Sequence, residues 1–561
     1  MQDNKNLSEF KADTQHIIEN KELRFFEALI PVIILMSMLA YNIFFVEDQE
    51  WFGAYTNQII LLLGGLVAAV VGFFNRVPIK MMGAEIWENL KSVFVPILIL
   101  FLVGALAGTW LISGVIPAMV YYGLQVLSPS IFLPSSVVIC AIISIATGSS
   151  WTTSATVGIA LVGIGTALGI PPGMIAGAVI SGAYFGDKMS PLSDTTNLAP
   201  AMAGTDLFTH IKYMSLTTVP TVLITLVVFA IISASIETSG NADLSQILET
   251  IDTTFTITPW LFAVPLIVIS LILLKTKPLI ALGSGVVLAG VFAFIFQGEV
   301  IEKITDSKTE TIINAVLTDT SIPIDDAKYL ETLTEHDLKA INSNKDLAPL
   351  FDADSDIEKS FTNAQLTQVF EQQNYDAATL ATKTDSLSRL LTIDKLKKLF
   401  NAGGMEGMLW TIYLIICAMI FGGIMDGIGA LSRITKALLS IATSVFGLFT
   451  STVISCLGLN AIASDQYLAI VIPGKMFKKA YQDKGLAPEN LSRTLEDSGT
   501  VTSVLIPWNT CGAYQSGVLG VGVADYFFYA IFNWLSPFMT LLFAALSLKI
   551  RMISTKKQIN N

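Results

Sequence analysis

The segment GDKMSPLSDTTN, from residue 186 to residue 197, places charged and hydroxyl side chains in an otherwise apolar part of the sequence. Asp187 and Asp194 supply carboxylates, while Ser190 and Thr195 supply hydroxyls. Oxygen ligands of these kinds suit a hard cation such as Na⁺. A carboxylate also binds a proton, so a site made of these groups can hold either of two small cations.

Three other segments combine a residue that interrupts a helix with the same kinds of side chain. The interrupting residue is Gly148 in ATGSSWTTSATVG, Gly458 in GLNAIASDQY, which also contains Asp465, and Pro507 in LEDSGTVTSVLIPWNT. In the segment GDKMSPLSDTTN, Gly186 and Pro191 are predicted to prevent a continuous helix. The predicted ion-binding and coupling residues are Asp187, Asp194, Asp465, Thr147, Ser149, Ser150, Ser190, Thr195, Asn197, Asn460, Asp497, Asn509 and Thr510. The three aspartates Asp187, Asp194 and Asp465 are the predicted sodium ligands.

The composition indicates a membrane protein. The 561 residues are 53% hydrophobic and only 14% charged, whereas soluble domains carry about 25% charged residues. Apolar runs of about 20 residues recur, which is long enough to cross a hydrocarbon core of about 30 Å. Residues 1–21 lack the apolar core of a secretory signal, so the first span, about 25–46, is predicted to remain uncleaved. We therefore expect an all-α polytopic membrane protein.

Cysteine and histidine contribute little to this chemistry. The four cysteines lie in apolar segments without the spacing of a metal site, and the three histidines lie outside the apolar spans. A proton carrier inside the membrane is therefore expected to be a carboxylate. Neither HExxH nor GxSxG occurs, so no enzyme is predicted, and no cofactor is expected apart from Na⁺ as the transported ion.

The distribution of charge predicts the orientation in the membrane. Lysine and arginine cluster in alternate inter-span segments, and the positive-inside rule then places both termini in the cytoplasm. Residues 298–404 contain 19 acidic and 11 basic residues, which accounts for −8 of the net charge of −12. The predicted order is a cytoplasmic segment 1–24, the first membrane repeat with the start of the second 25–297, an acidic extracytoplasmic helical insert 298–404, the rest of the second repeat 405–548, and a basic cytoplasmic tail 549–561.

The membrane part resembles itself at a shift of 316 positions. At this shift Asp465 corresponds to Ser149. Identical residues at corresponding positions include Ser135 with Ser451, Cys140 with Cys456, Gly169 with Gly485, Pro172 with Pro488, and Pro191 with Pro507. The charge pattern gives the two halves opposite orientations. The sequence therefore predicts the inverted-repeat architecture of ion transporters, with discontinuous helices and re-entrant segments.

The strings GDKMSPLSDTTNLA, TGSSWTTSATVG, DQYLAIVIPGKMF and EDSGTVTSVLIPWNT resemble the NhaC family of sodium/proton antiporters. The resemblance covers roughly residues 28–297 and 403–548. It implies exchange of Na⁺ for protons across the cytoplasmic membrane, in a fold whose two inverted repeats carry broken helices. Related members exchange malate with lactate, coupled to sodium and protons. The 298–404 insert is longer than the usual family linker, so the resemblance implies nothing about it.

Structural alternatives remain open for individual residues. Asp194 can act only as a helix N-cap, Lys188 can pair with Asp187, and serine or threonine hydroxyls can bond their own helix. Asp497 is a weaker candidate, at the access to the site. Charged residues expected at the membrane interface rather than buried are Asp206, Asp426, Arg493 and Glu496.

Two other functions remain open, an organic-acid exchanger using the same sodium site and an intramembrane enzyme or membrane anchor. Arg76, Arg433 and Arg493 all lie at predicted span ends, so no intramembrane arginine is expected to receive an organic anion. The expected partners are the lipid bilayer, Na⁺ and H⁺, with no nucleic acid, and a homodimer is left open. The expected location is the cytoplasmic (inner) membrane.

Overall fold

The computed structural model describes residues 23–46, 51–236, 241–274, 276–305, 327–351, 361, 363–373, 375–399 and 404–553. Most of the predicted cytoplasmic segment 1–24 and of the tail 549–561 therefore lies outside the described residues. Within the described ranges the chain is almost entirely helical and forms no strand. An all-helical chain is expected here, because lipid offers no hydrogen-bond partner to an unpaired backbone group.

The helices of the first 305 residues include those that follow the apolar runs of the sequence. They are α1 Phe25–Phe45, α2 Thr56–Phe74, α3 Ile79–Ser92, α4 Phe94–Ile112, α5 Val115–Val126, α6 Pro129–Thr147, α7 Ser150–Thr153, α8 Ile159–Ala167, α9 Pro172–Met189, α10 Asp194–Ala203, α11 Leu207–Ser235, α12 Asn241–Thr254, α13 Ala263–Leu273, α14 Pro278–Phe296 and α15 Gly298–Thr305. A π-helical turn, Ser154–Gly158, joins α7 to α8, and a 3₁₀ turn, Pro259–Phe262, precedes α13.

The remaining helices comprise the insert and the second half of the membrane part. They are α16 Ala327–Leu330, α17 Glu335–Ser343, α18 Asn363–Phe370, α19 Ala377–Leu399, α20 Gly404–Gly407, α21 Leu409–Gly427, α22 Ala430–Ser440, α23 Val445–Ile462, α24 Gln466–Asp483, α25 Pro488–Leu495, α26 Thr510–Leu519, α27 Val523–Tyr526 and α28 Ile531–Ala545. The 3₁₀ turns are Ala348–Phe351, Glu371–Gln373 and Ser503–Leu505, and a second π-helical turn is Glu496–Thr500.

Eight helical segments of the described chain are long and apolar enough to cross a membrane, or nine if one bent pair is counted as a single span. The count rests on length and composition, with about 20 residues needed for a bilayer. The prediction of an all-α, multi-pass membrane protein is confirmed.

The two halves share their helix boundaries at the shift of 316 positions. Helix α6 falls on α23, α7 with α8 falls on α24, α9 falls on α25 and its continuation, and α10 falls on α26. Residues with positive φ also correspond, since Gly148, Gly169 and Gly204 fall on Ser464, Gly485 and Gly520. Residues 129–204 and 445–520 therefore have the same order of helices and breaks along the chain. Their opposite orientation in the membrane stays a prediction.

Gly186 does not interrupt a helix, and that prediction is wrong. It lies inside α9, where an added Cβ would lie 2.5 Å from the Ala141 carbonyl oxygen and 2.5 Å from the Ser144 Cβ of α6. Glycine is needed here for the close approach of two helices rather than for a turn. The chain leaves the helix after Met189 and resumes at Asp194.

The described part of the insert has a small apolar core of its own, which includes Leu333, Ile341, Leu366, Phe370 and Leu387. A nearly buried ion pair lies beside this core, with Lys383 Nζ 2.5 Å from Asp337 Oδ2. Ser388 of α19 donates to Gln246 of α12 over 2.8 Å, which attaches the insert to the membrane part. The predicted limits of the insert as a domain, 298–404, stay a prediction.

Replacing Asp337 by Asn is expected to loosen the insert by about 3 kcal/mol, because it leaves the nearly buried Lys383 ammonium without its counter-charge. Burial opposes ionisation of Asp337, but hydrogen bonds from Lys383, Thr334 and Tyr375 outweigh it and lower the pKa of this carboxyl. Its stabilising contribution is therefore complete above the ordinary aspartate pKa of about 3.9 and is lost as the pH falls through the lowered value. Faster tryptic cleavage within 334–391 at neutral pH would show the effect.

The control is Asp376→Asn, because Asp376 is an exposed residue that accepts a hydrogen bond from the Thr379 N–H, a role that Asn fills equally well. Unchanged cleavage in Asp337→Asn would show that the ion pair does not stabilise the insert.

Candidate functional site

The predicted breaks of each half are bonded to one another. In the first half, the positive-φ residue Gly148 packs so closely that a Cβ there would lie 2.6 Å from Leu192 Cβ, and Ser190 Oγ donates to the Ile145 carbonyl over 2.8 Å. In the second half, the Thr510 N–H donates to the Ser464 carbonyl over 3.0 Å. Two interrupted segments are thus held together in each half.

Asp187 lies in the last turn of α9 with its carboxylate directed at the start of α7. Its Oδ2 accepts hydrogen bonds from the Ser150 N–H over 3.2 Å and from the Ser150 Oγ–H over 2.7 Å. The residue is only 8% exposed, and its other oxygen, Oδ1, has no hydrogen-bond partner among the described residues. Asp187 therefore retains one buried oxygen that can receive a cation.

Asp465 caps the N-terminus of α24. Its Oδ1 accepts the backbone N–H groups of Tyr467 over 2.8 Å and of Leu468 over 3.0 Å. The residue before it, Ser464, has a φ of 59°, which is uncommon for a residue other than glycine. The equivalent residue of the first half, Ser149, caps α7 by accepting the Thr152 N–H over 3.2 Å. The repeat thus places an anionic cap where the first half has a neutral one.

Asp194 lies in the first turn of α10, and Ser193 rather than Asp194 is the N-cap residue. Its Oδ1 accepts the Thr195 N–H over 3.0 Å, and its Oδ2 accepts a short hydrogen bond from the Tyr467 hydroxyl of α24. Tyr467 joins Asp194 to Asp465, because its backbone N–H donates to Asp465, and the Thr196 hydroxyl in the same turn as Asp194 donates to the Asp187 carbonyl over 3.2 Å. The structure therefore brings the three predicted sodium ligands into one group, with the exposed Asp194 between two buried carboxylates.

The other predicted polar residues mainly hold the breaks in place. Asn197 Nδ2 donates to the Ser193 carbonyl over 2.6 Å, and Asn509 Nδ2 donates to the Asn460 carbonyl over 3.0 Å. Asn460 Nδ2 in turn donates to the Gly499 carbonyl over 2.7 Å. Thr147 and Thr510 make only long hydroxyl contacts of 3.4 to 3.5 Å. Their assignment as ion ligands stays a prediction.

The partner of Lys188 is Asp497, so the alternative in which it pairs with Asp187 is wrong. Both side chains are completely buried, and Asp497 Oδ2 also accepts hydrogen bonds from Thr217, over 2.9 Å, and from Thr540. Asp497 therefore lies inside the protein and not at the access to the site. A lysine committed to this partner cannot neutralise the carboxylate of Asp187.

Three charged residues expected at the membrane interface are buried. Asp426 is 5% exposed, while Glu496 and Arg493 are fully buried, whereas Asp206 is exposed as expected. Glu496 accepts a hydrogen bond from the Thr195 hydroxyl, which places it beside the aspartate group. The sequence shows that these residues are charged, but their burial depends on packing between segments that are distant in the chain.

Arg493 is fully buried inside the protein, whereas it was expected to be exposed at the membrane interface. Its guanidinium carbon lies 4.7 Å from the ring centre of Tyr213 and 5.9 Å from that of Phe543. None of its side-chain nitrogens has a hydrogen-bond partner within the described chain. The argument from arginine position against an organic anion therefore no longer holds.

Comparison with known proteins identifies relatives along the chain. The model of the Na⁺/H⁺ antiporter family matches residues 182–328 and 357–548. The Na⁺/H⁺ antiporter NhaC of Alkalihalophilus pseudofirmus is 35% identical over 519 residues, covering 92% of this chain and 94% of that protein. NhaC of Bacillus subtilis is 31% identical, and the matched region covers 86% of this chain and 91% of that protein. The malate-2H⁺/Na⁺-lactate antiporter of Bacillus subtilis is 30% identical and covers 88% of both.

Proposed function

Because the chain belongs to the Na⁺/H⁺ antiporter family, we propose that it exchanges Na⁺ for protons across the cytoplasmic membrane. The observation that carries this proposal is the group formed by Asp187, Asp194 and Asp465 at the ends of broken helices. The positive-inside pattern supports an orientation with both termini in the cytoplasm.

Sodium and a proton compete for the same carboxylates in this proposal. Asp187 and Asp465 are each held by donors on one oxygen, and Oδ1 of Asp187 is free of hydrogen bonds within the described residues. Na⁺ favours the ionised carboxylate, whereas burial favours the protonated one. Occupation by one cation therefore weakens binding of the other, and this competition couples the two flows.

Alternating access would come from movement of one half of the chain relative to the other. Asp187 and Ser150 belong to the first half, whereas Asp465 and Tyr467 belong to the second, and the stacked rings of Trp151 and Tyr514 also join the halves, with centroids 3.9 Å apart. A relative displacement of the two halves would separate ligands of the same ion. Such a displacement would open the site to one side or the other.

The proposal is tested with the full chain reconstituted in liposomes that contain a pH-sensitive dye, with the membrane potential clamped by K⁺ and valinomycin. An inward Na⁺ gradient is expected to alkalinise the lumen, because protons leave as Na⁺ enters. Empty liposomes are the control. The proposal fails if Na⁺ causes no proton movement above that control.

Sodium-coupled exchange of an organic acid is the second candidate, and the buried Arg493 favours it. Its guanidinium has no anionic partner within the described residues, and a carboxylate substrate is a natural one. The same liposomes, tested with and without malate or lactate, separate the two functions. Proton movement that needs Na⁺ alone supports ion exchange, whereas movement that appears only with the organic acid supports the second candidate.

A further inference from the structure

Glu496 is a completely buried carboxylate that the proposed exchange does not use. It opens the π-helical turn Glu496–Thr500, a type of helix irregularity that is frequent at functional sites. Its Oε1 accepts the Thr195 hydroxyl over 3.1 Å, and its Oε2 has no hydrogen-bond donor among the described residues. A buried charged oxygen without a donor costs several kcal/mol, so it calls for a proton or a cation.

The cations nearest to Glu496 are already engaged or face elsewhere. Lys188 acts on Glu496 electrostatically, but its ammonium forms the ion pair with Asp497. Arg493, three residues earlier in the chain, lies over the ring of Tyr213. Asp187 is the other carboxylate that interacts with Glu496, and it too has a buried oxygen without a donor. Each of the two acids therefore has a buried oxygen that a proton or a cation would stabilise.

A row of hydroxyls leads from Glu496 to the turn that packs against Asp187. Thr195 Oγ1 lies 3.1 Å from Ser193 Oγ as well as from Glu496 Oε1, and the hydroxyl of the next residue, Thr196, donates to the Asp187 carbonyl over 3.2 Å, which holds this turn against Asp187. Ser193 and Thr195 are held in the first turn of α10, which starts at the break after Ser190. Each hydroxyl can accept one proton and donate another, so the row can carry a proton without any change in its own protonation.

We infer that Glu496 holds the transported proton in a pair with Asp187, and that Ser193 and Thr195 pass this proton between the two acids. The inference rests on the proposed function. Without sodium, one proton on the pair removes one of two buried negative charges. Na⁺ at Asp187 brings the compensating charge, and the proton then leaves. One Na⁺ is bound for each H⁺ released, and no bond other than O–H bonds is broken.

The test compares Glu496→Gln with wild type in three assays, which are release of protons on Na⁺ addition to the purified protein, sodium-driven proton movement across liposomes, and exchange of ²²Na⁺ for Na⁺ across liposomes. Glu496→Gln is expected to lose both proton release and Na⁺/H⁺ exchange, while ²²Na⁺ self-exchange continues at the wild-type rate. The matched control is Glu489→Gln. Glu489 is a nearly buried residue of α25 whose carboxylate accepts a hydrogen bond from Arg551 Nη1 over 2.7 Å. The control variant is expected to retain all three activities.

The outcomes separate this inference from the function on which it rests. If wild type moves no protons with Na⁺, the proposed function fails; if wild type does and Glu496→Gln does too, only the inference fails. Loss of ²²Na⁺ self-exchange together with proton release would also overturn it, because Glu496 would then serve the sodium site or the fold.

A second pair of variants decides the matter if Glu496→Gln does not fold. Thr195→Val keeps the shape of the side chain but removes the hydroxyl, and it is expected to lose proton coupling. Thr195→Ser restores the hydroxyl and should restore the coupling. Equal coupling in the two variants would overturn the inference.

Discussion

Asp187→Asn is expected to weaken Na⁺ binding about 100-fold or more and to abolish sodium-driven proton movement in liposomes. The amide has the same size and can still accept the hydrogen bonds from Ser150, but it carries no charge. A unit charge about 4 Å from a cation contributes about 4 kcal/mol at an effective dielectric constant of 20, and 2.8 kcal/mol corresponds to a factor of about 100. The measurements are ²²Na⁺ binding to the purified protein, which gives the sodium affinity, and sodium-driven proton flux in liposomes.

The control for this experiment removes a carboxylate of similar chemistry outside the aspartate group. Asp206 is exposed and caps α11 by accepting the Thr209 N–H over 2.9 Å, so Asp206→Asn preserves the cap and leaves the flux unchanged. Wild-type flux and sodium affinity in Asp187→Asn would exclude this carboxylate from the exchange. Comparable losses in both variants would indicate a general effect of charge.

Local sequence was sufficient to predict most of the breaks, because each break depends on a residue with a local conformational role. Gly148 has positive φ, Ser149 and Asp465 are N-caps, and Asn509 caps α26. Glycine, serine, aspartate and asparagine are favoured in such positions by their own backbone and side-chain preferences. The shift of 316 positions also predicted where several helices begin and end, since residues 129–204 and 445–520 have helix boundaries at corresponding positions.

Tertiary packing decided the points that the sequence could not predict. Gly186 was read as a helix breaker, yet α6 packs against it and requires a residue without a side chain. Glu496 and Asp426 were placed at the interface, because the sequence does not show which neighbours will bury a carboxylate. The partner of Lys188 lies 309 positions away, on the other half of the chain, where no local pattern could indicate it.

The ion pair between Lys188 and Asp497 predicts the largest change in stability. Lys188→Met leaves Asp497 fully buried with two threonine hydroxyls but no cation, and Asp497→Asn leaves the ammonium without its anion. Breaking a buried pair from one side costs about 3–5 kcal/mol, because the remaining charge stays out of water. Each single variant is therefore expected to unfold in detergent at a clearly lower temperature than wild type.

The double variant Lys188→Met/Asp497→Asn tests whether this cost comes from the unpaired charge. It contains no buried charge at the pair, and Asn can still accept hydrogen bonds from Thr217 and Thr540, so it should be more stable than either single variant. An exposed pair, Lys339 with Glu335, serves as the comparison, and Lys339→Met is expected to leave the unfolding temperature unchanged. Additive losses in the double variant would mean that the two side chains act independently. The Lys188 ammonium could then pair with Asp187 or Glu496, and it would replace the proton that these two acids are inferred to share.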